Sequence, residues 1–272
     1  MEIEAVILDW SGTAIDYGCF APVQAFMEAF HEFGVDPTSR ETREPMGMRK
    51  RDHLTAMLSM PRIREKWKEV HGRDSDEKDA EDLYRMFEEK LFRVLPEYSR
   101  PKPDTLETVR ELRARGIKIG STTGFTNRMM EVVAPAAQSF GYAPDLWVSP
   151  DSTGNYGRPY PYMIFQNLQA LKVTSVKHTV KIGDTVADIL EGKNAGVLTV
   201  GVIEGSSEMG LSEDAFHSLD ETGREQYIRR VAEEFKKAGA DFAIARLGEF
   251  IPLLEQLKAM EFADSVGKHF SF

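Results

Sequence analysis

Ile3-Glu4-Ala5-Val6-Ile7-Leu8-Asp9-Trp10-Ser11-Gly12-Thr13 is the stretch on which the fold turns. Residues 3–8 form a short, largely apolar, β-branched run, so they read as a buried parallel strand. The strand ends at Asp9 and runs into Ser-Gly-Thr, which is turn chemistry. Similar short runs recur at residues 117–121, 146–149, 179–182, 198–202 and 242–245. Helical patterns separate most of them, at 104–115, 128–140, 162–171 and 185–195. Gly116, Gly141 and Gly196 each stand just beyond such a pattern, where a left-handed C-terminal cap is expected. Strands alternating with helices predict an α/β fold, a Rossmann-like and mainly parallel sheet. Ligands of such sheets sit at the carboxyl ends of the strands.

Between the first and second strands the alternation stops. Residues 20–98 show only helical patterns, at 22–33, 48–60, 63–70 and 77–95. That is too long for an ordinary strand-to-helix connection and too ordered for a loop. It predicts an inserted all-helical cap domain at 20–98, on a core made of residues 1–19 and 99–272. Pro96, Pro101 and Pro103 suit a semi-rigid hinge at the exit.

Composition narrows the function classes. Of the 272 residues 42% are hydrophobic and 29% charged, an ordinary globular profile with enough apolar material for a core. A formal net charge of −10 argues against a nucleic-acid backbone or an anionic membrane surface as partner. It does not argue against a phosphate ligand, because a metal or local amides can reverse the field at one site. Cys19 is the single cysteine, so no internal disulfide can form. The first residues carry no signal-like stretch, and no run approaches the ~20 apolar residues of a membrane span. A cytoplasmic location is the expectation.

Four features fall at the ends of the expected strands: Asp9-Trp10-Ser11-Gly12-Thr13, Ser121-Thr122-Thr123-Gly124, Gly157-Arg158-Pro159 and Gly183-Asp184-Thr185-Val186-Ala187-Asp188. Each alone has a bland reading as turn, cap or surface charge. Together they converge. Carboxylates at two strand ends make a hard-oxygen site suited to Mg2+. A hydroxyl and a cation nearby would hold phosphoryl oxygens, leaving Asp9 to attack phosphorus.

In this order and on this alternation the four motifs resemble the haloacid dehalogenase superfamily of phosphotransferases. The resemblance implies Asp9 as nucleophile, with Thr123, Gly124 and Arg158 binding the phosphoryl group. It implies a Mg2+ site made by Asp9, Asp184 and the backbone carbonyl of Ser11, with Asp188 acting through water. Most phosphatases of that superfamily carry a second Asp two residues after the nucleophile as general acid and base. Here that position is Ser11, whose hydroxyl cannot readily protonate a leaving alkoxide near neutral pH.

A second constellation lies in the expected cap, at Pro45-Met46-Gly47-Met48-Arg49-Lys50-Arg51-Asp52-His53. On a helix, Met46, Lys50 and His53 would share one face. A lysine against an apolar wall can be held partly neutral, and a neutral amine condenses with an aldehyde. By spacing alone the stretch reads first as a basic, solvated helix face. Together with Tyr17-Gly18-Cys19-Phe20-Ala21-Pro22, Gly157-Arg158-Pro159-Tyr160-Pro161, Asn194-Ala195-Gly196 and Gly205-Ser206-Ser207-Glu208, it resembles the phosphonoacetaldehyde hydrolase family.

That resemblance implies cleavage of a carbon–phosphorus bond, which has no oxygen leaving group to protonate. It implies an imine on Lys50 as electron sink, His53 as proton shuttle, and Met46, Gly47 and Cys19 around the substrate. Phe125 stands where that family is expected to carry a tyrosine, Ser11 where it often has Ala, and Ala14 where it often has Thr. The resemblance also implies a homodimer joined through the caps, to which Phe26, Met27, Phe30 and Phe33 would contribute unless they are cap core. The competing enzyme reading is a Mg2+-dependent phosphate-ester phosphatase of the same superfamily; a catalytically silent phosphate-binding protein is the non-enzyme alternative.

Overall fold

In the computed structural model, which describes residues 2–268 and side chains as far as 259, the six expected strands form one sheet. They are β1 (Ala5–Leu8), β2 (Lys118–Thr122), β3 (Leu146–Val148), β4 (Thr179–Gly183), β5 (Leu198–Val202) and β6 (Phe242–Ile244). Their order is β3-β2-β1-β4-β5-β6 and every pairing is parallel. β1 therefore lies inside the sheet, buried at all its positions, with Leu8 opposite both Ser121 and Ile182. That register brings the loops after β1, β2 and β4 to one edge, where the connections diverge to the two sides of the sheet.

Helices α6 (Thr105–Ala114), α7 (Asn127–Ser139), α8 (Tyr162–Ala170) and α9 (Val186–Ala195) fill the expected positions between strands. Two long C-terminal helices were not anticipated: α11 (Glu221–Ala238) after the short α10 (Glu213–His217), and α12 (Phe250–Lys268). Only Val231 and Phe235 of α11 are fully buried, so its apolar stripe is too thin to stand out in the sequence.

Between β1 and β2 stand α1 (Phe20–Glu32), α2 (Ser39–Arg43), α3 (Lys50–Ser59), α4 (Pro61–His71) and α5 (Glu77–Val94), with no strand among them. α5 begins on a capping box between Asp76 and Asp79 and buries Leu83, Tyr84, Phe87 and Leu91 along one face. Phe26 of α1 stacks on Phe87 at 4.0 Å and on His53 at 3.9 Å between ring centroids. Phe26 and Phe30 are fully buried, so of the two readings of that apolar set they are interior packing. Among the described residues no helix is long and apolar enough to cross a membrane.

One local expectation is corrected. α3 starts at Lys50, after an extended Arg49, and Met46 sits in the turn before it. Gly47 interrupts the helical pattern with φ of 87°, a left-handed conformation. Met46, Lys50 and His53 therefore do not share a helix face.

Candidate active site

Asp9 leaves the carboxyl end of β1 and is buried. Its Oδ1 accepts from Nη2 of Arg158 at 2.6 Å. Asp184, at the end of β4, accepts from the Thr13 hydroxyl at 2.9 Å and from the Ser207 amide at 2.8 Å. Gly12 makes this approach possible: a Cβ there would lie 2.1 Å from Oδ2 of Asp184, and its φ is 90°. The Gly of the first motif is thus a packing requirement of the last one.

Asp9, Asp184 and Asp188 bring carboxylate oxygens within 4.8 Å of one another, all three residues buried. Burial, with repulsion from Asp9 and Asp188, pushes the Asp184 carboxyl well above the usual range. Burial and Asp188 raise Asp9 as well, against the pull of Arg158 and Lys181. An all-oxygen set of mutually repelling carboxylates fits a hard divalent cation, which would remove the repulsion. Asp188 is placed differently. Its Oδ1 faces Arg158 at 2.9 Å and Lys181 at 2.8 Å, and its Oδ2 accepts from the Thr185 hydroxyl at 2.6 Å. Its Oδ1 makes these ion pairs without an aligned hydrogen bond among the described residues, and Asp188 stays within reach of the other two carboxylates.

A narrow cavity is lined by Asp9, Ser11, Cys19, Met46, Gly47 and Lys50, and by Thr123, Gly124, Phe125, Arg158 and Thr185. The helical insertion meets the core here at two glycines. A Cβ on Gly124 would lie 2.7 Å from the Met48 carbonyl oxygen, and one on Gly47 2.4 Å from the Thr185 hydroxyl.

Lys50 is buried, with its amine 5.0 Å from the ring centroid of Phe125 and 6.0 Å from that of Phe26. Burial lowers its pKa, while Cys19 and Asp9 pull the other way. Met46 and Cys19 pack with Val23 as an apolar wall. The Cys19 thiol is pushed up by burial and so is a poor nucleophile.

His53 is fully buried and is not among the lining residues. Its Nε2 donates to the Thr42 carbonyl at 2.9 Å, which leaves Nδ1 as an acceptor without a hydrogen-bond partner among the described residues. Burial and the charge of Lys50 hold its pKa well below the usual histidine range, so the ring is neutral. Ser11, in the place of the usual Asp, donates from its hydroxyl to Asp16 Oδ2 at 2.5 Å. Asp16 also accepts from the Phe20 and Ala21 amides at the start of α1, and burial raises its pKa to about 6.

Two charged residues that the sequence reading did not single out, Lys181 and Glu191, are fully buried beside Arg158 and Asp188, together with Thr122 of the second motif. A charged residue within an apolar strand, as at Lys181, was the available signal.

A family model for haloacid dehalogenase-like hydrolases matches residues 3–196. A phosphonoacetaldehyde hydrolase of Bacillus cytotoxicus is 48% identical over 262 residues, 96% of this chain and 99% of that protein. One of Bacillus anthracis is 48% identical over 261 residues, 96% and 98% of the two chains. The crystal structure of a phosphonoacetaldehyde hydrolase-like protein from Oleispira antarctica superposes with a TM-score of 0.90 at 35% identity, covering 94% of this chain and 92% of that one. Matched by that family model over most of its length, the chain belongs to the haloacid dehalogenase-like hydrolases.

Proposed function

We propose that this hydrolase cleaves the carbon–phosphorus bond of phosphonoacetaldehyde, giving acetaldehyde and phosphate. The observation that carries the reading is Lys50: a buried amine between aromatic rings, lining the same small cavity as Asp9. The names of the relatives support it. Desolvation favours the neutral amine, the form that attacks an aldehyde.

In this reading Lys50 condenses with the aldehyde carbon, releasing water. The resulting iminium accepts the electron pair of the breaking C–P bond, so carbon departs as an enamine. Asp9 attacks phosphorus through its carboxylate and becomes an aspartyl-phosphate. Arg158 and Thr123 hold the phosphoryl oxygens, with Gly124 giving them room. Water hydrolyses the acyl phosphate. Protonation of the enamine carbon and hydrolysis of the imine release acetaldehyde. His53 serves as proton acceptor through its unpaired Nδ1, one helical turn from Lys50. Met46, Gly47 and Cys19 shape the aldehyde end.

Mg2+ is the proposed metal, held by Asp9, Asp184 and the Ser11 carbonyl with Asp188 in support; when bound it would offset phosphonate charge as Asp9 approaches. Residues 20–98 are proposed to act as a cap over the core of residues 1–19 and 99–272; of that core, Met1 and 269–272 lie outside the described residues. A cytoplasmic location fits the acidic composition and the single thiol. A homodimer through the caps would use exposed parts of the insertion, because Phe26 and Phe30 are interior; sedimentation tests it.

The decisive assay measures phosphate and acetaldehyde release from phosphonoacetaldehyde by wild type and Lys50→Arg, with borohydride trapping. The reading expects equimolar products, an adduct on Lys50 and inactivity of Lys50→Arg. Turnover of sugar phosphates that survives Lys50→Ala, with no adduct, would establish the phosphate-ester phosphatase instead.

A further inference from the structure

We infer that Lys181 and Glu191 are positioning residues for Arg158, acting as a buried frame that aims its guanidinium at the transferred phosphoryl group. The inference rests on the proposed role of Arg158 as a phosphoryl binder and deepens it.

Arg158 lies in the turn between β3 and α8, outside any regular element. Its backbone therefore does little to fix the direction of a long side chain, and its partners must do so. Nε donates to Glu191 Oε2 at 3.0 Å. Nη2 donates to both the carbonyl and the hydroxyl of Thr122, each at 3.0 Å. A guanidinium bonded at Nε and at Nη2 has its plane set, because it is rigid and the fork cannot turn about the Cδ–Nε bond.

Glu191, on α9, is held in turn. The Thr122 hydroxyl donates to its Oε2 at 2.9 Å, and Lys181 Nζ lies 3.4 Å from the same oxygen. Lys181 also donates to Thr122 Oγ1 at 2.8 Å and pairs with Asp188 at 2.8 Å. Lys181 reaches this place by register, since it sits on β4 opposite Ile7, two positions before Asp9 on β1.

The charges give the frame a second purpose. Arg158 faces Asp9, Asp188 and Glu191 at once. Without another cation, three carboxylates would compete for the one guanidinium. Lys181 shares Asp188 and Glu191, so Arg158 keeps positive potential toward Asp9 and its phosphoryl. Nor is stability a sufficient reason for these ions. A buried ionic network is often no more stabilising than well-packed apolar residues of similar volume. Its contacts with Arg158, which itself pairs with Asp9, point to orientation.

The test is a double-mutant cycle between Glu191→Gln and Arg158→Lys, which keeps the charge but lacks the Nε donor. The readouts are kcat and KM for phosphonoacetaldehyde, inhibition by inorganic phosphate, and borohydride trapping at Lys50. Glu191→Gln is expected to lower kcat/KM by about 10–100-fold and to weaken phosphate inhibition about tenfold, with imine trapping retained. In the Arg158→Lys background it should add less than about threefold, because coupled residues are not additive. If Glu191→Gln does not fold, Lys181→Met/Glu191→Gln removes opposite charges together and is judged by the same cycle. Effects that multiply, or a silent Glu191→Gln beside a crippled Arg158→Lys, would overturn the inference alone. An Arg158→Lys enzyme with wild-type kcat and phosphate inhibition would overturn the reading of Arg158 together with it.

Discussion

Gly47 of the helical insertion rests against Thr185 of the core so closely that a Cβ at position 47 would lie 2.4 Å from the Thr185 hydroxyl. This contact sets the turn that delivers Lys50 to the cavity. Gly47→Ala therefore meets both a clash and a left-handed φ of 87°. The backbone cost is about 1–2 kcal/mol before the clash is counted. A shift of the turn is expected to lower kcat/KM by about 10–100-fold, since small misplacements of reacting groups are expensive. Steady-state kinetics beside a thermal melt will separate the two losses. Wild-type turnover by this variant would show that the glycine contact does not govern Lys50.

Ser11 gives a contrast between two substitutions. Among the described residues its hydroxyl bonds Asp16 and the Cys19 sulfur, at 2.5 and 3.3 Å. Ser11→Ala should reduce stability by about 1–2 kcal/mol through loss of the bond to Asp16, leaving kcat/KM within about threefold. Ser11→Asp sets a second carboxylate against buried Asp16 and should be markedly less stable. It is not expected to gain phosphate-ester turnover. Urea midpoints and a sugar-phosphate assay check both statements.

Metal removal should divide the proposed reaction in two. Chelation is expected to abolish phosphate release while borohydride still traps the substrate on Lys50, because imine formation uses only the amine and the aldehyde. Adding Mg2+ to the chelated protein should raise the melting temperature, since a cation among Asp9, Asp184 and Asp188 binds only the folded arrangement. At a hundredfold excess over Kd the gain is about 2.7 kcal/mol. Loss of the adduct on chelation would tie the lysine step to the metal.

His53 predicts an acid limb in stability. The folded protein holds the ring neutral, with its pKa depressed by burial and by Lys50. The unfolded chain binds a proton below about pH 6.5, so the unfolded state takes up more protons and stability falls as pH falls. Until the depressed folded pKa is reached, this one group contributes about 1.4 kcal/mol per pH unit. Urea midpoints at pH 7 and 5.5 should differ less for His53→Gln than for wild type. Equal differences would mean that another group controls the limb.

What could be read from the chain alone is what its local chemistry encodes. Apolar runs ending in Asp9, Thr123 and Asp184 specified strands with reactive ends, and spacing placed a helical insertion between the first two strands. The glycine in Asp9-Trp10-Ser11-Gly12 was visible, but its reason was not: Asp184, far along the chain, fills the space a Cβ would need. Met46 was misplaced because one left-handed glycine cancels a helical period that spacing alone suggests. Phe26 and Phe30 could have faced a partner or the interior, and only the stacking of α1 on α5 decided it. Lys181 and Glu191 were passed over because neither belongs to a motif. They meet Arg158 through parallel strand register and the return of α9 over β4. Sequence determined which polar residues stand at each strand end; tertiary structure decided which of them meet and what surrounds them, because that depends on contacts between residues far apart in the chain.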